Sequence, residues 1–227
     1  MTVSTSTPEI GGQVAEPEQA TRVYGGETQQ QRVQRRRAAI IEAAIAVAAE
    51  QGWRQLSIER ICASAGLIRR YFYESFADID AVTVAVIDTL ADRLLTLVVR
   101  NDLSAPRAEL IHTMVGQVVD YGLENPNHLR VLFGEMAATD AAAQRRRAAV
   151  GRIVQILATD GRAIHHADDP IIDLVASLLV NGSAATLLDW LDGTITMPRQ
   201  KFIDGMAALW LQTTESAIAR LSARADS

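Results

Sequence analysis

The stretch "AGLIRRYFYESF", residues 65–76, decides the fold. The whole chain is only 5% aromatic and carries a net charge of -5, yet this segment concentrates rings and arginines. They are Arg69, Arg70, Tyr71, Phe72, Tyr73 and Phe76. Because Phe72 and Phe76 are four residues apart, a helix places both rings on one face. We therefore expect a short helix that buries these two rings and turns both arginines and Tyr73 outward.

The residues before this segment predict two more helices. Ser57 suits the N-cap of "IERICASA", residues 58–65, and Gly66 suits a left-handed C-cap. From Arg35 onward, apolar residues recur at spacings of three and four until Gly52. Two short helices joined by a glycine-containing turn are typical of a helix-turn-helix, whose second helix offers its N-terminal residues to base edges in the major groove.

The charge of the chain is divided unevenly. Residues 31–76 contain eight arginines and four glutamates, a net charge of +4, so the rest of the chain carries -9. A basic module on an acidic chain indicates contact with a polyanion. The run "QQQRVQRRR" at 29–37 is either a flexible arm that reaches phosphates or the minor groove, or a solubilising charge run.

The remaining sequence predicts an all-α chain. Helices are expected at about 80–100, 106–124, 127–137, 140–160, 170–192 and 199–222. Residues 1–30 have the composition of a disordered tail, residues 31–79 form the predicted DNA-binding domain, and residues 80–227 form a helical bundle. The single cysteine, the start without a secretion signal and apolar runs shorter than roughly 20 residues favour a soluble, cytoplasmic protein.

The run from Arg37 to Val82 resembles the DNA-binding domain of TetR-type transcriptional regulators. The resemblance lies in the arginine before "IIEAA", Gly52 followed by an aromatic residue, "AG" before the recognition helix, and then Tyr73 and Phe76. It implies a homodimeric repressor with an all-helical, effector-binding C-terminal domain. The segment "LLDWLDG" at 187–193 is similar to the end of the penultimate helix in many relatives.

The resemblance also implies site residues. The positions of Ser57 and Tyr73 usually contact phosphates, and those of Arg69, Arg70 and Tyr71 usually reach bases or backbone. The full set of candidate DNA contacts is Arg37, Ser57, Arg60, Ile68, Arg69, Arg70, Tyr71, Tyr73 and Ser75. Ile68 stands where the family commonly has Ser or Thr, and it could instead pack against a thymine methyl group.

Two further sets of residues are assigned to the bundle. Apolar residues that exceed the needs of a solid core are candidates for an effector site, although each could equally be plain core; they are Met114, Val118, Tyr121, Phe133 and Met136. The apolar excess of the last two helices predicts a dimer interface, although these helices could simply cover the core of a monomer. Its candidates are Leu187, Leu188, Trp190, Met206 and Trp210.

No cofactor, metal or catalytic group is assigned. "HHADD" at 165–169 contains metal-ligating residue types but no further spaced ligand set, and Cys62 suits the core better than a redox site. His112 with Asp120 and Tyr121 can be interpreted as acid–base groups or as polar pocket residues. We predict a DNA-binding regulator that is not an enzyme; the alternative is an all-helical enzyme or cofactor-binding bundle with an incidental basic end.

Overall fold

The computed structural model describes residues 28–99, 105–134, 140–165 and 168–225. Within these residues the chain forms nine α-helices, a 3₁₀ turn at Trp53–Gln55 and no strand, which confirms the predicted all-α fold. The helices are α1 (Gln29–Gln51), α2 (Ile58–Ala65), α3 (Arg69–Ser75), α4 (Ile79–Val99), α5 (Arg107–Glu124), α6 (Pro126–Phe133), α7 (Asp140–His165), α8 (Pro170–Leu191) and α9 (Arg199–Ala225).

Helices α1, α2 and α3 pack together at the N-terminal end. Ile40 from α1, Ile61 from α2 and Phe72 from α3 are each 0% exposed, so the three helices share one core. Between α2 and α3 the chain turns at Gly66, whose φ of 64° lies in the left-handed region that favours glycine. Leu67 N donates to Cys62 O at 2.9 Å and closes this turn. The predicted helix-turn-helix is therefore present.

Helix α1 begins earlier than predicted, at Gln29 rather than near Arg35. Thr28 Oγ1 accepts from Gln31 N at 3.2 Å, and Gln31 Oε1 accepts from Thr28 N at 2.7 Å. This reciprocal pair is a capping box, whose Thr-x-x-Gln signature is visible in the sequence. The interpretation of residues 29–37 as a flexible arm is therefore wrong, because they form the first turns of α1 and extend it past the predicted tail boundary.

Helices α4–α9 form a bundle against this module. Helix α4 contacts both α1 and α7, helix α5 packs along α9, and the short helix α6 lies between α1 and α8. Because α4 leads away from the module and α5 returns, the start of α5 lies at the far end of the bundle. Helix α7 continues to His165 and α9 to Ala225, beyond the predicted ends near 160 and 222.

Candidate nucleic-acid interface and interior cavity

Helix α3 has one buried and one exposed face. Phe72 and Phe76 are 0% and 4% exposed, and their ring centroids are 6.0 Å apart. On the other side, Ile68 and Tyr73 are about three-fifths exposed. These orientations agree with the sequence prediction. Phe72 and Phe76 fix the helix to its core, and the opposite face is available to a partner.

Both arginines at the start of α3 are exposed but paired with carboxylates. Arg69 donates to Glu59 on α2, and Arg70 Nε donates to Glu74 Oε1 one turn further along α3 at 3.0 Å. Ion pairs in such exposed positions contribute little stability, typically 0–1 kcal/mol. A phosphate or a guanine can therefore replace these carboxylates at a small cost in free energy. Without DNA, the ion pairs hold both guanidinium groups on the outer face of α3.

Arg36 on α1, which is not among the predicted DNA contacts, ties α1 to α3. Its guanidinium lies 3.7 Å from the centroid of the Tyr71 ring, and its Nη1 donates to Glu74 Oε2 at 3.1 Å. Tyr71 is half-buried beneath this contact. One face of the Tyr71 ring is thus occupied within the chain. Residues 36 and 74 are too far apart in sequence for a local pattern to have predicted this contact.

Ser57 and Arg60 lie at the start of α2. Ser57 Oγ accepts from Arg60 N at 3.3 Å, as expected of an N-cap. The Arg60 side chain donates to Gln51 Oε1 and Gln55 Oε1, at 2.7 and 2.9 Å. These bonds join α2 to the end of α1 and the 3₁₀ turn. Both residues remain candidate phosphate contacts, because the helix start is exposed and its backbone N–H groups favour anions.

Arg37 and Ser75 do not face outward as predicted. Arg37 Nη1 donates to Ser75 O at 2.8 Å, and its guanidinium lies 4.0 Å from the centroid of the Phe76 ring. Ser75 Oγ is buried, without a hydrogen-bond partner among the described residues. The assignment of Ser75 is therefore corrected, whereas the phosphate contact of the half-buried Arg37 stays a prediction. Arg37 joins α1 to the end of α3, and the Ser75 hydroxyl is not accessible to DNA.

We expect Arg37→Ala to lower the free energy of unfolding by about 1–2 kcal/mol, because it removes a charged hydrogen bond and a cation–π contact. Urea denaturation measures this loss. Arg54→Ala, at an exposed arginine in the 3₁₀ turn, serves as the control and should leave stability unchanged. If Arg37→Ala instead left stability intact and reduced the salt dependence of DNA binding by about one phosphate contact, the original phosphate assignment would be right.

A cavity of about 250 Å³ lies inside the bundle, between α4, α5, α6, α7, α8 and α9. Of the predicted effector residues, Met114, Val118 and Phe133 line it. Its walls are otherwise mainly aliphatic, with Trp210 and Phe202 contributed by α9. The apolar residues that exceed the needs of a solid core thus include several that line this cavity.

Tyr121 lies outside this cavity, in a polar cluster beside α1. Its hydroxyl shares a hydrogen bond with His128 Nδ1 at 2.7 Å, and His128 Nε2 lies 3.7 Å from Glu42 Oε2. Arg93 on α4 also donates to Glu42. Burial, together with the nearby Arg93 charge, lowers the pKa of His128, and Glu42 acts in the opposite direction. Met136, the remaining predicted effector residue, lies outside the described residues.

Comparison with known families identifies the N-terminal module. A sequence model described as "Bacterial regulatory proteins, tetR family" matches residues 40–86, which include the second half of α1, all of α2 and α3, and the start of α4. Residues 40–86 thus carry the DNA-binding domain of the TetR family. A chain with this domain is a DNA-binding transcriptional regulator, and the exposed face of α3 belongs to the matched segment.

The similarity to solved structures extends over most of the chain. A putative TetR-family regulator from Syntrophomonas wolfei str. Goettingen has 14% identity and a TM-score of 0.67, with coverage of 80% of this chain and 95% of that one. A putative transcriptional regulator from Pseudomonas aeruginosa PAO1 has 18% identity, a TM-score of 0.68, and coverages of 82% and 94%. The fatty acid degradation regulator FadR from Bacillus halodurans has 15% identity, a TM-score of 0.65, and coverages of 78% and 94%. At these identities the likeness shows a common fold.

The outer surface of the last two helices differs from the predicted dimer surface. Leu174, Leu178 and Leu209 are about three-fifths exposed, whereas Leu187 is only 4% exposed. Several predicted interface residues point into the chain: Leu187, Met206 and Trp210 line the cavity, and Trp190 stacks on Phe202 with a centroid distance of 4.8 Å. Leu188 is half-buried. A dimer interface formed by α8 and α9 would therefore centre on Leu174, Leu178 and Leu209.

Helix α8 is apolar around most of its circumference. By length and composition alone it is long and apolar enough to span a membrane, which corrects the expectation that the apolar segments are too short. Only 22% of its most apolar stretch is buried within the chain. In this fold the apolar composition of α8 has another explanation, because one face lines the interior and the other carries Leu174 and Leu178.

His112 and Cys62, the other polar residues considered from the sequence, have contacts that fit a structural role. His112 Nε2 lies 2.9 Å from Asp204 Oδ1, and this hydrogen bond lowers the pKa of Asp204. Cys62 is buried, and burial raises the pKa of its thiol. No group of three His, Cys, Asp or Glu side chains within the described ranges could hold a metal ion. His166 and Ala167 of the "HHADD" segment lie outside those ranges.

Proposed function

We propose that this TetR-family regulator is a homodimeric, cytoplasmic repressor that binds a palindromic operator and leaves it when a small, mostly apolar effector enters the cavity. Residues 31–79 would form the DNA-binding domain and residues 80–227 the effector-binding and dimerisation domain. The observation that carries the proposal is a helix-turn-helix with an exposed basic recognition face, joined in one chain to an apolar cavity.

The DNA contacts follow from the exposed face of α3. Arg69 and Arg70 are long donors at the helix start, where recognition helices meet base edges. Ile68 is the N-cap residue without a side-chain cap, so its exposed side chain is available to a thymine methyl group. Tyr73 lies one turn further along, where its hydroxyl can contact a phosphate.

The dimer is supported by apolar surface that the single chain leaves uncovered. Leu174 and Leu178 from α8 and Leu209 from α9 are exposed. The resemblance to TetR-type regulators implies that the last two helices pair with their copies as a four-helix bundle, and we expect α8 and α9 to do so around a two-fold axis between the protomers. That symmetry would place the two recognition helices roughly 34–36 Å apart, one turn of duplex, and would require a palindromic operator.

Effector binding is coupled to DNA through the helices that the cavity and the module share. Helix α4 leads from the module to the cavity wall at Leu94. Helix α6 lines the cavity with Leu129 and Phe133, and its His128 faces Glu42 on α1. Release requires an effector with different affinities for two conformations. We expect binding to shift α4 and α6 against α1.

Selection of bound sequences from random duplex DNA tests the proposal. We expect a palindromic consensus, with affinity that falls steeply as salt rises because lysine and arginine contacts release counterions. A screen for compounds that release the selected duplex should then yield apolar molecules. Recovery of no consensus, with weak and salt-independent binding, would support a helical bundle with an incidental basic end instead.

The exposed arginines of α3 should determine base preference. We expect Arg69→Ala and Arg70→Ala each to weaken operator binding by about 1–3 kcal/mol and to broaden the selected consensus, because a bidentate contact to guanine is lost. Tyr73→Phe should weaken all sequences alike. Arg152→Ala, at an exposed arginine on α7, is the control and should change neither quantity. Unchanged affinity and consensus in both α3 variants would disprove the groove assignment.

A further inference from the structure

A groove on the outside of the bundle runs between α7 and α8 and reaches the end of α6. Its volume is about 410 Å³. Its floor is apolar and is formed by Leu132, Phe133, Val150, Val154, Ala184 and Ala185. Phe133 and Ala184 also line the interior cavity, so the groove lies on the outer side of the cavity wall. The groove is therefore a binding space separate from the proposed effector cavity.

The charged side chains among the described residues of the groove are two arginines, Arg146 and Arg147. The carboxylate that α7 binds lies on another side of this helix, where Asp88 of α4 pairs with Arg145 and Arg152. Residues 145 and 152 share one face because they are two turns apart, and each following residue is rotated by about 100°. Arg146 and Arg147 thus face away from Asp88. In the described part of the chain, the groove has a net positive charge.

No described carboxylate neutralises either guanidinium group. Arg146 Nη1 donates to Gly134 O at 2.8 Å, an uncharged acceptor that uses one of its several N–H groups. Arg147 is exposed and makes no hydrogen bond or ion pair with the described residues. Burial and the neighbouring Arg147 charge both lower the pKa of Arg146. A bound anion would offset the repulsion between the two cations and supply a counter-charge.

The rest of the rim is polar and uncharged. Gln155 lies on α7 about 12 Å from Arg147, the length of slightly more than two helical turns. Ser177 and Asn181 line the groove from α8. A ligand that places an anionic group at Arg146 and Arg147 therefore has hydrogen-bonding groups along the rest of its length and an apolar floor beneath it.

We propose that the groove is a second ligand site, which binds an organic anion with a flat apolar body. The anionic group, a carboxylate or a phosphate ester, binds Arg146 and Arg147, and the body lies on Phe133 and Val154. Both kinds of anion present oxygen atoms that match the planar guanidinium group.

The volume sets the size of the apolar body. An apolar cavity of about 150 Å³ holds benzene, so a groove of about 410 Å³ accommodates two fused rings with their substituents. The site does not depend on the proposed function, since it stands whether or not an apolar effector in the interior cavity releases operator DNA.

Naphthalene derivatives of matched size test the site with the full chain in the absence of DNA. The anionic probes are 2-naphthoate and 2-naphthyl phosphate, 2-naphthol is the neutral compound, and 2-naphthylmethylamine is the cation at neutral pH. Anisotropy of the naphthyl fluorescence and calorimetry measure each affinity. We expect the better anion to bind at least about tenfold more tightly than the cation, and less tightly as salt rises.

The two anionic probes distinguish the possible head groups. Tighter binding of 2-naphthoate would identify a carboxylate, and tighter binding of 2-naphthyl phosphate would identify a phosphate ester. Equal or tighter binding of the cation would overturn the proposal.

Substitution of the arginines separates this groove from the interior cavity. Arg147→Gln is the cleanest variant because Arg147 has no contact to lose among the described residues. We expect it to weaken the better anion by about three- to tenfold and to leave 2-naphthol unchanged. Arg146→Gln should weaken the anion further, although it also removes the bond to Gly134 O.

Arg152→Gln is the charge-matched control, since Arg152 is an exposed arginine on α7 that does not line the groove. It should leave both affinities unchanged. If Arg146→Gln and Arg147→Gln both bound the anion as the wild-type chain does, the proposal would be wrong. Equal weakening of the anion and 2-naphthol in Arg147→Gln would also contradict it, because the arginine would then have only a structural role.

The proposed dimer supplies a further test, because Leu174 and Leu178 lie on α8 beside the groove. Leu209→Asp, which lies on α9 and is expected to give a monomer, should bind the anion with the wild-type affinity. If only the monomeric variant bound the anion, the groove would be covered by the partner subunit in the dimer, and the proposal would fail.

Discussion

Replacing Leu178 or Leu209 with aspartate is expected to convert the proposed dimer into a folded monomer and to weaken operator binding by at least about a hundredfold. Both side chains are about three-fifths exposed in the single chain, so the substitutions do not disturb its core. In the dimer they would bury an unpaired charge, which is costly. A monomer contacts only one half-site of the operator. It therefore loses the avidity of binding two linked half-sites at once, which raises affinity by a factor of about 10²–10⁴.

Sedimentation velocity and operator titration of the same samples measure both effects. Leu123→Asp is the matched control, because Leu123 is also an exposed leucine but lies on α5; it should remain dimeric and bind normally. Leu187 and Trp210 are unsuitable positions, since aspartate there would enter the cavity wall and unfold the monomer. A Leu178→Asp variant that stayed dimeric and kept full affinity would rule out this face as the interface.

Phe72→Ala is expected to lower the free energy of unfolding by about 3–5 kcal/mol and to abolish operator binding. Phe72 is fully buried and contacts the rings of Phe76 and Tyr73. Without its ring, α3 loses the contact that orients its exposed face. Because domains are stable by only about 5–15 kcal/mol, a loss of this size leaves little margin for the small N-terminal module.

Tyr73→Ala provides the matched comparison at the adjacent position. Tyr73 is 60% exposed, so we expect a small change in the free energy of unfolding and a clear loss of DNA affinity. Thermal or urea denaturation, monitored by circular dichroism, measures the first quantity, and anisotropy of labelled operator measures the second. A Phe72→Ala variant with normal stability would show that α3 is held mainly by other contacts.

Much of the fold could be predicted because local rules decide it. The four-residue spacing of Phe72 and Phe76 gives the buried face of α3, Ser57 caps α2, and Gly66 ends it. The start of α1 was missed although the capping box of Thr28 and Gln31 is written in the sequence. The pair Arg70–Glu74 has the same local character, because its members are one helical turn apart.

The sequence by itself thus determined the helices, the turn between α2 and α3, and the sign of the charge on α3. Tertiary structure decided which arginine faces outward: Arg37 binds Ser75 O, 38 residues away, and Arg36 covers Tyr71. It also decided the faces of α8, which is apolar nearly all round, so that periodicity could not separate buried Leu187 from exposed Leu178. Helical spacing fixes which residues share a face, but only packing against other helices fixes which face becomes the interior.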